Sequence, residues 1–197
     1  MRGQFLGRYP EFARAAFLRS ASALEQLPAG GAETAFAGRS NAGKSSALNA
    51  ITRPGIARVS KTPGRTQLLN LFTLGRDDLR LVDLPGYGYA RVPANARAAW
   101  AEVIVRYLER RTELRGLVLM VDIRRGLAAA DTELMALWGP RPLHIVLTKS
   151  DKIGRGPARD ALKTLVAAQP QVSAQLFSAL NGDGVETLRK QLTDWLT

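Results

Sequence analysis

Gly38-Arg39-Ser40-Asn41-Ala42-Gly43-Lys44-Ser45 fits G-x-x-x-x-G-K-[ST] and stands between a short strand-like run, Thr34 to Ala37, and a helical run, Lys44 to Ile51. That context commits the chain to a strand, a tight glycine turn and a helix whose first N–H groups converge on phosphate oxygens. Lys44 is placed to reach the β and γ phosphates, and Ser45 to ligate Mg²⁺.

Downstream, strand-like and helix-like segments alternate, the pattern of a mostly parallel sheet covered by helices on both faces. The spacing predicts strands over Gln67–Leu74, Leu79–Asp83, Leu117–Val121, Leu143–Leu147 and Ser173–Phe177. Gly75 to Asp78 between the first two of these reads as a hairpin forming an antiparallel edge. A helix carries the stripe Trp100, Val103, Ile104, Tyr107 and Leu108; others are expected over Asp131–Trp138, Ala158–Ala168 and Val185–Leu196. The expected fold is α/β, a three-layer α/β/α P-loop domain of Ras-like type, with a six-stranded, mostly parallel sheet and one antiparallel edge strand. Residues 33–197 form this domain. Residues 1–32, with Phe12, Ala15, Ala16, Phe17, Leu24 and Leu27 before the breaker cluster Pro28 to Gly31, read as an N-terminal helical extension.

Three further segments specify guanine. Asp83-Leu84-Pro85-Gly86 follows a strand, where the Asp can hold Mg²⁺ through water and the Gly N–H can meet the γ phosphate. Thr148-Lys149-Ser150-Asp151 follows another, and the Asp151 carboxylate can accept from the two donors on the guanine edge. Adenine lacks that donor pair and would leave a buried charge unpaired. Phe177-Ser178-Ala179 follows the last strand, where backbone amides can bind the guanine oxygen. All of these sit at strand C-terminal ends, where open α/β sheets bind ligands.

Together with Lys61-Thr62-Pro63-Gly64-Arg65-Thr66-Gln67 and Asp83 to Ala90, this order of motifs resembles the EngB family (also YihA or YsxC) of bacterial ribosome biogenesis GTPases, within the translation-factor-related class that also holds TrmE, Era, EngA and septins. The resemblance spans nearly the whole chain. It implies GTP hydrolysis, a role in large-subunit assembly and, through it, in normal cell division. It also implies Thr66 as the switch threonine that closes on Mg²⁺ and the γ phosphate, with Gly64, Arg65, Gln67 and Leu68 near the nucleotide. On this reading Lys44, Thr66 and Gly86 act in catalysis, Ser45 and Thr66 hold the metal, and the large ribosomal subunit with its rRNA is the partner of a monomeric protein.

Two positions depart from the common GTPase pattern. Thr148 stands where many carry Asn, keeping a side-chain oxygen but losing the amide donors. Tyr87 stands where Ras-like proteins place the glutamine that orients the attacking water, so intrinsic turnover should be slow. Two devices could complete the site. Asn41 resembles the P-loop asparagine of potassium-activated GTPases, where K⁺ replaces an arginine finger; the other reading is that it only braces its own loop. Alternatively the ribosome orders residues 53–66 and 87–98, which carry Arg58, Lys61, Arg65, Arg91 and Arg97; the other reading is a solvated loop.

The net charge of +11 at pI near 10.8 suits a polyanion partner, and equally an arginine-rich coding bias. There is no cysteine, which excludes disulfides and thiolate sites. No apolar run reaches the roughly 18 residues of a bilayer span, and Met1 to Gln4 open no signal core, so a cytoplasmic protein is expected. His144, the single histidine, falls in a strand with no second ligand nearby and reads as structural. Asp122 and Arg124 can pair to fix their loop or assist the nucleotide site. Trp100, Trp138 and Trp195 read as core. A metabolic P-loop kinase would leave Asp151 unexplained and lacks a lid insertion. An RNA-binding module with a vestigial loop would not need Lys44, Ser45, Thr66 and Asp83.

Overall fold

The computed structural model describes residues 9–57, 68–87 and 94–197, with the backbone alone over 94–100. Seven strands, β1 Ala15–Ala21, β2 Ala32–Gly38, β3 Leu69–Leu74, β4 Leu79–Asp83, β5 Leu114–Asp122, β6 Leu143–Thr148 and β7 Ser173–Leu176, form one sheet in the order β1-β3-β4-β2-β5-β6-β7. The pairs β4/β2, β2/β5, β5/β6 and β6/β7 are parallel; β1/β3 and β3/β4 are antiparallel. The helices are α1 Pro10–Ala13, α2 Lys44–Ile51, α3 Ala94–Arg110, α4 Ala129–Trp138, α5 Arg155–Ala168 and α6 Val185–Leu196.

Side chains alternate across the central strands, as the pleat requires. Leu117, Leu119 and Val121 of β5 pack with Ile104, Tyr107 and Leu108 of α3, Leu134 and Trp138 of α4 and Ala158 of α5. Val118 and Met120 point the other way, to Leu48 and Ile51 of α2 and Leu188 and Leu192 of α6. Both faces being covered, these strands read as continuous apolar runs. Burying each Leu, Ile or Val contributes about 1.5–3 kcal/mol.

The sheet has seven strands, where six were expected, because the segment read as a helical extension supplies one. Among the described residues of that segment Pro10–Ala13 is an α-helix and Leu24–Gln26 a single 3₁₀ turn, whereas Ala15–Ala21 runs extended along β3, from Ala15 opposite Leu74 to Ala21 opposite Leu69, with a bulge between Phe17 and Arg19. Its alanines favour a helix by propensity, but an extended Ala15–Ala21 supplies ladder partners to β3, whose backbone groups would otherwise line an open edge. β3 is therefore internal, and β1 is the outer strand.

At the N-terminal end of the parallel strands lies a buried ion cluster. The fully buried Glu33 carboxylate accepts from Arg80 Nε at 2.9 Å, from Arg111 Nε at 3.0 Å and from Tyr107 Oη at 3.0 Å, with Arg111 NH2 at 2.5 Å. Burial, then the neighbouring carboxylate, holds the Tyr107 phenol well above its ordinary pKa. The cluster ties β2, β4 and the end of α3 together at the pole opposite the phosphate-binding loop.

Candidate nucleotide site

β2 ends at Gly38 and α2 begins at Lys44, so the motif forms the turn between them. A Cβ on Gly38, at φ +154°, would stand 2.6 Å from the Met120 carbonyl oxygen. Gly43 takes φ +96° as the N-cap of α2, and with no side chain to cap the helix it leaves the first-turn N–H groups facing outward. Asn41 also lies in the left-handed region, φ +63°, its side-chain amide exposed and without a hydrogen bond among the described residues. Ala42 N–H closes the turn on the Arg39 carbonyl at 2.9 Å.

Across the mouth, Lys44 Nζ lies 3.5 Å from Asp83 Oδ1, at the end of β4. That separation is electrostatic contact without a hydrogen bond, and Asp83 Oδ1 is a buried oxygen with no hydrogen-bond partner, as is Ser40 Oγ. Burial raises the Asp83 carboxyl above its ordinary pKa against the opposing pull of Lys44. Leu84 and Pro85 are buried, Leu84 N–H donating to Phe36 O at 2.9 Å, while Gly86 faces Ser40 Oγ, which would lie 3.0 Å from an added Cβ. Ser45 is half-buried, and its hydroxyl makes no hydrogen bond among the described residues. A carboxylate oxygen without a hydrogen bond at Asp83 and a hydroxyl at Ser45 are oxygen donors of the kind that suit Mg²⁺, which takes one or two protein oxygens and fills its shell with water and phosphate. No cluster of three His, Asp or Glu exists among the described residues, so a metal held by protein alone has no site there. Gly64, Arg65, Thr66 and Gln67 lie outside the described residues, as do Arg58, Lys61 and Arg91 and the side chain of Arg97; Leu68 is exposed at the start of β3.

The base end is built on β6 and β7. Thr148 Oγ1 is 2.6 Å from the Ala42 carbonyl and 3.1 Å from that of Val121; its single proton goes to the nearer, tying β6 to the phosphate-binding loop. Lys149, at φ +58°, extends its ammonium to Asn41 O at 2.6 Å and to Asp122 Oδ2 at 2.9 Å. Asp122 in turn takes a fork from Arg124, Nε at 2.9 Å and NH2 at 2.7 Å, which with Lys149 holds its carboxyl far below the ordinary range. Ser150 is half-buried, its N–H on Phe177 O. Asp151 Oδ1 accepts from Ser178 Oγ at 2.6 Å, lowering its pKa, whereas Oδ2 is buried with no hydrogen bond; Lys152 Nζ, 3.2 Å away, gives it charge but not hydrogen-bond geometry.

A family model described as 50S ribosome-binding GTPase matches residues 33–149. The probable GTP-binding protein EngB of Nitrosococcus oceani is 49% identical over 195 residues, 94% of this chain and 96% of that one. This chain belongs to the EngB family. A crystal structure of a probable GTP-binding protein engB superposes with TM-score 0.68 at 23% identity, over 84% of this chain and 98% of that one. Era in complex with MgGDPNP and nucleotides 1506–1542 of 16S ribosomal RNA gives TM-score 0.68 at 22% identity, over 86% and 58%. At these identities the two structures establish the fold alone; the family match establishes a GTP-binding, GTP-hydrolysing protein.

In this EngB chain the amides expected to meet the guanine oxygen are not all open. Phe177 N–H donates to Leu147 O and Ser178 N–H to Asp183 O, both at 2.9 Å, which leaves the Ala179 N–H. Next to it Leu180 is 77% exposed, a large apolar side chain at the rim that the sequence reading missed. The only sequence signal for it was its place directly after Ser178-Ala179. Tyr87 does not face the mouth as a water-orienting group: its hydroxyl donates to Asp131 Oδ1 at 2.6 Å and its ring packs on the core. Burial, then Asp131, raises that phenol far above its ordinary pKa. Asp131 also accepts the Ala128 N–H at 2.8 Å, so one carboxylate caps α4 and holds Tyr87. His144 is buried between Ser173 Oγ at 2.7 Å and Gln175 Oε1 at 3.0 Å, bridging β6 to β7, and burial lowers its pKa. Trp138 is core, its Nε1 shared by two carbonyls at 3.1 Å, and Trp195 packs on Gly116. The side chain of Trp100 lies outside the described residues.

Proposed function

We propose that this EngB GTPase is a switch for assembly of the large ribosomal subunit, and through that for normal cell division, working in the cytoplasm as a monomer. Among the described residues four buried side-chain polar atoms have no hydrogen-bond partner, and three of them, Ser40 Oγ, Asp83 Oδ1 and Asp151 Oδ2, belong to residues of the nucleotide motifs. Buried polar groups left unpaired are costly, so their concentration where phosphate, metal and base would lie carries the reading.

In this assignment the loop amides from Gly38 to Ser45 and the Lys44 ammonium hold the β and γ phosphates, with Arg39, Ser40, Asn41, Ala42 and Gly43 shaping the loop. Ser45, Thr66 and, through water, Asp83 would hold Mg²⁺, which when bound neutralises charge on the β and γ oxygens. Gly86 N–H, flanked by Leu84 and Pro85, donates to the γ phosphate. Asp151 reads the base, Thr148, Lys149 and Ser150 hold its loop, and the loop of Phe177, Ser178 and Ala179 presents one amide to the guanine oxygen. Gly64, Arg65, Gln67 and Leu68 flank the nucleotide.

With Tyr87 committed to Asp131, this chain has no side chain in the glutamine position to orient water, which supports slow intrinsic hydrolysis. The free Asn41 amide favours K⁺ as the missing charge; equal turnover in KCl and NaCl at matched ionic strength would remove that element. The family's description as 50S ribosome-binding supports the ribosomal partner. Sedimentation of the protein with purified subunits, in GDP and in a non-hydrolysable GTP analogue, tests it: co-sedimentation with the large subunit dependent on the GTP state is expected, and binding indifferent to nucleotide would refute the switch.

A further inference from the structure

We infer that the exposed flank of α5, carrying Arg155, Arg159 and Lys163, is a docking surface for the sugar–phosphate backbone of ribosomal RNA. The inference rests on the ribosomal reading above and adds the face that meets the RNA.

α5 begins four residues beyond Asp151, after the turn Ser150–Lys152, and packs against β7 through the side that holds the buried Ala158. Arg155, Arg159 and Lys163 follow one another at i, i+4 and i+8, all exposed, so they form a row with about 6 Å of rise between neighbours. Among the described residues none of the three has an ion-pair partner, and neither has Asp160, the one acid on the helix. Two other helical cations are neutralised: Lys190 pairs with Asp194 one turn on at 2.5 Å, and Arg106 reaches Glu25 at 3.3 Å.

Two local rules disfavour the row. Like charges four residues apart repel along a helix, and a cation in the first turn opposes the helix dipole. Arg155 is the first residue of α5, whose first turn holds no acid and whose last turn holds no base. An arginine-rich coding bias scatters charge without regard to these rules; here the three charges are aligned against the first, and Arg155 stands against the second as well. A surface kept at that cost gains from an external polyanion. Guanidinium forks suit phosphate oxygens. No aromatic residue lies on α5 to stack a base, so the chemistry is recognition of backbone charge rather than of sequence.

The test is binding of the full chain to purified large subunits over a KCl series, with R155Q/R159Q/K163Q and the charge-keeping R155K/R159K. Loss of three phosphate contacts should make the log–log salt slope shallower by about 2 to 3, on the order of a hundredfold in affinity near about 0.1 M salt. R155K/R159K should keep the wild-type slope, and GDP affinity and subunit-free turnover should be unchanged in both variants. A triple variant with the wild-type slope overturns the inference while leaving the ribosomal reading intact. So does R155K/R159K losing as much as the Gln variant, or a row that matters only for vesicles of phosphatidylcholine and phosphatidylglycerol. A wild-type chain that binds no subunit in either nucleotide state overturns both.

Discussion

Thr148→Val removes one hydroxyl and keeps the shape. The Thr148 side chain is 2% exposed, its Oγ1 lies 2.6 Å from the Ala42 carbonyl, and its Cγ2, which valine retains, lies 3.6 Å from where a Cβ on Gly43 would be. The substitution therefore leaves packing alone and orphans the Ala42 carbonyl inside the phosphate-binding loop. A buried acceptor without its donor costs about 1–3 kcal/mol. In a domain of this size each kcal/mol shifts Tm by about 2–4 °C, so the nucleotide-free protein should melt about 2–12 °C lower. Because Ala42 and Gly43 must be held in place to present their amides, GDP affinity should fall about 5- to 30-fold, or 1–2 kcal/mol. Preference for guanine over adenine should not change, since the hydroxyl faces the loop and not the base. Thermal melts and fluorescent-GDP titrations measure both quantities on the same preparation. A Thr148→Val protein with wild-type Tm and wild-type GDP affinity would refute the view that this hydroxyl, standing where other GTPases use Asn, braces the loop.

Glu33→Ala would leave Arg80 buried with no carboxylate and Arg111 with Glu113 alone, a loss of about 3–5 kcal/mol read by urea denaturation, while GDP affinity of the folded fraction should stay near wild type because the cluster lies at the far pole. His144 is the only histidine, and its folded pKa is depressed by burial, so the unfolded chain takes up its proton first as pH falls. Stability should decline below about pH 6.5, by no more than about 1.4 kcal/mol per pH unit, and His144→Gln should flatten that part of the profile. Tyr87→Phe should cost about 1 kcal/mol in melting experiments and leave single-turnover hydrolysis unchanged; a tenfold fall in rate would make the hydroxyl part of the chemistry.

What the sequence disclosed and what it withheld divide along chain distance. α2, β4 and α6 begin and end where their patterns placed them, because a cap, a hairpin turn or an apolar period within a dozen residues decides each. The loops carrying Lys44, Asp83 and Asp151 were legible for the same reason. β1 was not: its alanines favour helix, and only β3, 50 residues on from Ser20 at Asn70, makes it a strand. Glu33 meets Arg80 and Arg111, and Tyr87 meets Asp131, through the topology of the sheet, which no local spacing encodes. The closed amides of Phe177 and Ser178 likewise depend on the Leu147 carbonyl of the neighbouring strand and on the turn at Asp183.

The most direct test is equilibrium binding of GDP, GTP, XTP and ATP with Mg²⁺ to the wild type, Lys44→Ala and Asp151→Asn. Lys44→Ala should weaken GTP by about 10- to 100-fold, the worth of charge-assisted hydrogen bonds to phosphate. Asp151→Asn should lose at least about a hundredfold for GTP and shift preference toward XTP, whose base offers an oxygen where guanine offers its amine. If both variants bind GTP as the wild type does, with guanine still preferred, the nucleotide does not lie in this mouth.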